Sequence, residues 1–455
     1  MHSETRGKRQ LAGAVIPALL IAAPAAIFYS SLFSHLVNLP FYDDYNALLR
    51  FLNEAALAKG AAAKFWVFLA GQHNEYKLFF VHGLALAQVE LLGHVDFVQL
   101  CMLGDSAVLV LAFQLWSMFL QSEKDLARRM ALFVPVAWLI FQLSYWETLT
   151  WAMAALQNLW VIVFSLGTIR CLLQPSRKSY AGALILYALA IAASGNGFLL
   201  LPLGLVILAT RRQIARAAGW LACTAGCIAA YAYHYNVMSS QARSRGSVFS
   251  TLMHLRPDYS IAFIGNAGAI AGSSPISVWI SLTLGAVLLL FFGWLAWRGY
   301  ARRNPMVSCC VLFLMLTAVG VAGMRSDYGL IQSTSSRYTI YGALAVIFAW
   351  TAICEEFLEL RDEMLLNSGP YLAMMIGTVL LSFWMDGIGY RELVGRKHEV
   401  VNWMAAYERP GTPESADSPM PPFKQQSAAT IEWRAQAREI LKESVQLGVY
   451  ELPKH

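Results

Sequence analysis

Residues 11–45 read LAGAVIPALLIAAPAAIFYSSLF (11–33), SHLVNLP (34–40) and FYDDY (41–45). The first stretch is an uncharged apolar run long enough to cross about 30 Å of hydrocarbon, which takes roughly 20 helical residues. The last places two adjacent carboxylates, Asp43 and Asp44, among aromatic residues just beyond the end of that run. Similar apolar blocks recur at 96–120, 130–145, 150–172, 179–193, 197–210, 217–238, 277–297, 305–325, 337–354 and 370–387. Only 14% of the 455 residues are charged and 57% are hydrophobic, where soluble domains carry roughly 25% charged residues. Mean hydropathy is +0.50. A soluble enzyme, a disordered chain and a secreted disulfide scaffold are poor fits. The expected fold class is an all-α polytopic membrane protein.

The basic residues orient the spans, because short cytoplasmic loops collect Lys and Arg. Five clusters stand out: Arg6/Lys8/Arg9, Lys124/Arg128/Arg129, Arg170/Arg177/Lys178, Arg211/Arg212/Arg216 and Arg298/Arg302/Arg303. If all five are cytoplasmic, neighbouring clusters are separated by an even number of crossings. The result is five hairpins and a final helix, about eleven transmembrane helices, with the N-terminus cytoplasmic and the C-terminus outside. The orientation suits a bacterial inner membrane with a periplasmic outer face, which composition and brief loops favour, and equally an endoplasmic reticulum protein facing the lumen. The interval from Lys178 to Arg211 is short for two spans. Ser194-Gly195-Asn196-Gly197 breaks it, which predicts a tight hairpin of short helices; the alternative is one tilted, glycine-kinked helix. Residues 1–33 also resemble a signal peptide, but the small-residue site Ala23-Pro24-Ala25 lies mid-run, which favours a retained anchor.

This topology makes residues 1–387 a transmembrane module, with 34–95 as the first external loop and 388–455 as an external tail. The tail has a proline-rich linker at 410–422 and a short amphipathic helix at 430–444. That helix either lies on the membrane surface or caps the outer domain. The net charge is +6, with basic residues scattered singly or in pairs, so nucleic acid is not an expected partner. All seven cysteines fall in apolar blocks, which predicts neither disulfides nor a zinc cluster.

In the first external loop, 46–57 forms a helix whose Leu48, Leu49, Leu52, Ala55 and Ala56 are expected to lie against the bilayer. Gly71-Gln72-His73-Asn74-Glu75-Tyr76-Lys77 follows, then an apolar run at 78–93. That run is too short for a comfortable span and reads as a juxtamembrane or re-entrant helix. Charged groups beside lipid are costly unless solvated or paired. Asp43 and Asp44 are therefore functional or a helix N-cap in a solvated loop. His73, Glu75 and Lys77 are functional or ordinary interfacial polarity.

The order of these features resembles the GT-C superfamily of membrane glycosyltransferases, which includes protein O-mannosyltransferases and the lipid A aminoarabinose transferase. Members have an acidic pair after the first span, usually Asp-Glu, then juxtamembrane helices and a run ending in Gly. A span ending in basic residues follows. Here these are Asp43-Asp44, the run to Leu92-Gly93, and 96–120 leading to Arg128-Arg129. Ser336-Arg337-Tyr338 is similar to the Arg-Tyr at the outer start of a late span. Asp replaces Glu in the pair and His-Asn-Glu-Tyr-Lys replaces a His-Pro-Pro-type segment, so no named subfamily is assigned.

The resemblance implies transfer of a sugar from a polyprenyl-phosphate donor to a lipid, glycan or protein acceptor on the non-cytoplasmic face, with inversion. It implies Asp43 as general base, with Asp44 orienting the acceptor or holding a cation. The leaving phosphate needs fixed positive charge, which Arg325, Arg337 and Lys77 at outer helix ends are placed to supply, beside Tyr338. His73, Glu75 and Asp44 are candidate ligands for a divalent cation, Mg or Mn. Trp146, Glu147, Gln157 and Asn158 are weaker candidates for lining a sugar site, and Asn196 reads as a turn residue. His234, His254, Arg243, Arg245 and Arg256 belong to the second outer loop. An O-antigen polymerase or ligase would use those arginines, and a lipid-linked glycan flippase would need charged or broken helices at the midplane.

Overall fold

A chain in hydrocarbon must satisfy its backbone groups internally, and helices do so segment by segment. The structure, a computed structural model, describes residues 2–236, 255–272, 274–358, 369–407 and 428–453, and no β-strand occurs among them. α1 (His2–His35) leads into the first outer loop. There a π-helical turn, Tyr45–Leu49, feeds α2 (Arg50–Leu57), followed by α3 (Ala61–Ala70) and α4 (Phe79–Leu92). α5 (Phe97–Met118) and α6 (Leu126–Ile140) begin at the caps Asp96 and Asp125, whose carboxylates accept from Gln99 N and Ala127 N. Irregular turns lead to α7 (Trp160–Leu172). Then come α8 (Arg177–Ala193), α9 (Leu200–Thr210) and α10 (Ile214–Ala232). The rest are α11 (Pro257–Ile264), α12 (Pro275–Trp297), α13 (Pro305–Arg325), α14 (Thr339–Ile353), α15 (Gly369–Tyr407) and α16 (Ala428–Gln446).

The chain is an all-α polytopic membrane protein. Among the described residues, nine helical segments are long and apolar enough to cross a membrane. They correspond to all the expected blocks except 179–193 and 197–210, which fold as the shorter α8 and α9. These two form a hairpin. Arg211 Nη1 donates to Leu173 O at 2.5 Å and Arg216 Nη2 to Pro175 O at 2.6 Å, so α9 ends where α8 begins. One long kinked helix would separate those groups. At the hairpin tip, a Cβ on Gly197 would fall 2.4 Å from the carbonyl carbon of Ala190, so only glycine closes the turn.

Two expectations need correction. A boundary at 387 falls inside α15, whose apolar segment runs Ala373–Asn402. Polar residues interrupt the apolar pattern there, and two of them, Asp386 and Arg396, turn onto protein while Arg391, Glu392, Lys397 and Glu399 stay exposed. Asp386 Oδ1 accepts from Leu143 N at 2.7 Å, and Arg396 is buried against Phe41. Second, Leu48, Leu49, Leu52 and Ala55 are not presented to the bilayer. They are buried in a core shared with Ile440, Leu441, Val449 and Tyr450. α16 and the residues after it thus cap the first loop, tied by Asn53 Nδ2 to Ile440 O (3.2 Å) and by Tyr450 Oη to Asn38 O (2.6 Å).

The basic segments meet at one end of the bundle. Arg170 bonds Ser117, Arg303 pairs with Glu356 at 2.6 Å, and Tyr300 and Asn304 bond Glu355. From that end α8 rises to Ser194 and α13 to Arg325, while α14 descends to it from Arg337.

At the opposite end α15 packs closely on the break after α6. A Cβ on Gly389 would lie 2.2 Å from the Leu143 carbonyl, whereas one on Gly395 meets nothing within 4 Å. Gly389→Ala is expected to lower the thermal unfolding midpoint in detergent, by overpacking worth about 1–3 kcal/mol. Gly395→Ala is expected to leave it unchanged or raise it. Identical midpoints for the two variants would contradict this packing.

Candidate functional site

The first outer loop bends sharply at Tyr42, whose φ of 42° lies in the left-handed region. The bend sends the two carboxylates in different directions. Asp44 points inward and is 1% exposed. Its Oδ2 accepts from Phe41 N at 3.1 Å and its Oδ1 from Met153 N at 2.9 Å. It stands at the N-cap position of the helix that follows but makes no capping bond. It joins the first loop to the segment before α7. Burial pushes its pKa up to about 7, with the two amides opposing the shift.

Asp43 points outward, into a cavity of about 110 Å³ at the end of the bundle away from the basic clusters. Its Oδ2 lies 3.3 Å from His73 Nε2. His73 is held by a tight turn: its N–H donates to Tyr76 O and Tyr76 N–H returns to His73 O, each at 2.9 Å. Lys77 locks that turn. Its Nζ donates to Ala70 O (2.8 Å), Tyr233 O (2.7 Å) and Leu69 O (3.3 Å). All three of its protons are thereby used. The buried ammonium has its pKa lowered by desolvation.

The opposite wall comes from the far end of the chain. Arg325, in the last turn of α13, and Arg337, in the turn before α14, both line the cavity, with Tyr338 and Tyr341. Arg337 Nη2 lies 3.4 Å from Glu147 Oε1, and its Nε donates to Ser335 Oγ at 3.2 Å. Ser335 Oγ in turn donates to Glu147 Oε2 at 2.9 Å. The turn bearing Arg337 hangs from buried Asn266, whose Nδ2 donates to Ser333 O (2.7 Å) and Ser335 O (3.1 Å). Asn266 Oδ1 accepts from Thr339 Oγ1 at 3.0 Å. Every polar atom of that amide side chain is used, which makes the turn's position stiff.

The cavity therefore gathers Asp43, His73, Arg325, Arg337 and Tyr338, with Gln157, Asn158 and Asn196 beside them. Asp44, Glu75 and Lys77 do not line it. The expected cation set of Asp44, His73 and Glu75 does not assemble: among the described residues no three His, Cys, Asp or Glu converge. The reason is local, since Asp44 spends both oxygens on backbone amides. Glu147 is part of the Arg337 network rather than of the lining. In the second outer loop, Arg256 is paired with Asp258 at 2.5 Å; Arg243, Arg245 and His254 lie outside the described residues. Asn266 and Trp151 carried no sequence signal, because their partners, Ser333 and Ser335 for the one and Phe41 for the other, are distant in the chain.

A carboxylate with an imidazole neighbour on one wall and two guanidinium groups on the other can take a proton from a hydroxyl while binding an anion. The Asp44 bridge has a measurable consequence. Its folded-state pKa stands above the ordinary carboxylate value of 3.8, so the folded chain holds that proton more tightly than the unfolded chain. The stabilisation is complete below pH 3.8 and is lost as the pH rises through 7. Thermal midpoints measured across that range should fall more steeply for the wild type than for Asp44→Asn; parallel curves would refute the assignment.

No family model, no curated protein and no solved structure matches this chain.

Proposed function

We propose that the protein is a GT-C-type membrane glycosyltransferase that moves a sugar from a polyprenyl-phosphate donor to a lipid, glycan or protein acceptor on the non-cytoplasmic face. One observation carries this reading: the Asp43 carboxylate and the Arg325 and Arg337 guanidinium groups line one cavity, although they lie far apart in the sequence.

In this reading Asp43 takes the acceptor hydroxyl proton as the acceptor oxygen bonds to the anomeric carbon. The bond from that carbon to the phosphate oxygen breaks, and its electron pair leaves with the phosphate. Displacement from the opposite face inverts the centre. His73 orients the carboxylate. Arg325 and Arg337 bind the phosphate and stabilise the charge that grows on it, where fixed donors act most strongly. Arg337 keeps its direction through Glu147 and Ser335.

The membrane arrangement that accompanies it has eleven spans, with α8 and α9 counted as crossings. The N-terminus is cytoplasmic, the C-terminus periplasmic and the membrane a bacterial inner one. The gathering of basic segments at the end opposite the cavity supports that orientation.

The test is an assay of purified protein with radiolabelled polyprenyl-phosphate sugars. Asp43→Asn is expected to lose about 100- to 10,000-fold in transfer while still binding donor, and Arg337→Ala to weaken donor binding. Transfer by Asp43→Asn at the wild-type rate would remove Asp43 as base. Separately, a cysteine replacing Asn74 at the cavity rim should react with an impermeant maleimide from the periplasmic side; protection there, with reaction only after the membrane is broken, would reverse the orientation.

A further inference from the structure

A second cavity lies at the basic end of the bundle. It holds about 590 Å³ between α9, α12 and α13, and its walls are almost wholly apolar, with Leu203, Ile207, Phe292, Leu295, Val311 and Met315 among them. The hydroxyls of its lining residues already have partners: Thr210 Oγ1 donates to Val206 O, Ser308 Oγ to Asn304 O and Tyr300 Oη to Glu355.

Its origin is a short helix. α11 packs against both α12 and α13. It does so in the half of the bundle near the proposed catalytic cavity: Ser260 Oγ donates to Ala318 O, and Gly265 and Gly285 bring the backbones of α11 and α12 into contact. α11 spans only Pro257–Ile264. Among the described residues no helix fills the corresponding gap in the other half, where Phe292–Ala296 of α12 face Val307–Met315 of α13.

The mouth of this groove is cationic. Arg211 and Arg302 line it and both are exposed. Trp294 and Trp297 sit at the same end of α12, with the Arg298 guanidinium 5.7 Å from the Trp294 ring centre. Trp and Arg at a helix end mark the headgroup level of a bilayer. An apolar slot running inward from a headgroup-level pair of arginines matches an amphiphile with an anionic head and a hydrocarbon body. A polyprenyl-phosphate donor needs its phosphate at the other end of the bundle, beside Arg325 and Arg337. We infer that this groove is a binding site for an anionic diacyl phospholipid of the leaflet on the basic side.

The test uses the full chain in nanodiscs of equimolar phosphatidylglycerol and phosphatidylcholine, with the lipid retained on release into the gas phase read by native mass spectrometry. Wild type is expected to retain phosphatidylglycerol preferentially. Arg302→Gln is expected to reduce the preference about fivefold, and Arg211→Gln by a similar factor. Val206→Trp, at a half-exposed wall position, should fill the slot and abolish retention with both arginines intact; Leu312→Trp serves if that variant aggregates. Equal retention of the two lipids by wild type, or undiminished phosphatidylglycerol on both filled variants, would overturn the assignment. So would displacement of phosphatidylglycerol from wild type by polyprenyl phosphate, which would give the groove to the carrier.

Discussion

The half of this molecule that holds the cavity depends on one buried carboxylate. Asp44 accepts hydrogen bonds from Phe41 N and Met153 N and so joins two segments that have no sequence proximity. A buried carboxylate costs much unless such donors meet it. The loop geometry that supplies them also forces the bend at Tyr42 and turns Asp43 outward. The two acids that look equivalent in the sequence thus have opposite tasks: one is an internal tie and the other faces a cavity. Lys77 repeats the logic with the opposite charge, holding the His73 turn through three carbonyls rather than waiting for an anion.

The second wall of the cavity is suspended in the same way. Asn266 grips the turn that carries Arg337, and Glu147 with Ser335 sets the direction of the guanidinium. Glycines permit the close approach: a Cβ on Gly342 would lie 2.4 Å from Ala267 N. Rigid supports behind the cavity's polar side chains suit the proposed action on a lipid-borne phosphate, because fixed donors need no reorganisation as charge develops. The bundle is correspondingly polarised, with its basic segments at one end and the cavity at the other, and α11 packs on α12 and α13 in the half near the cavity.

Much of the architecture was legible from apolar periodicity. The long blocks, the break at Ser194–Gly197 and the short run at 78–93 are statements about local composition, and helices in hydrocarbon obey local composition. Where legibility failed, a tertiary contact had changed the meaning of a residue. The polar positions of α15 look like the start of a solvated tail, yet Asp386 is bonded to Leu143 N and Arg396 is buried. The stripe on α2 looks like a lipid-facing surface, yet α16 covers it. Asp43 was legible as a candidate because acids beside a span are rare, but its difference from Asp44 was not.

By itself, the sequence determined a helical membrane protein, the places where helices start and turn, and which charges gather between them. Those follow from the cost of exposing backbone and charge to lipid, which each segment pays alone. Only the tertiary structure decided which charges are ties and which face a cavity. That choice depends on hydrogen bonds between segments far apart in the chain, and no periodicity records them.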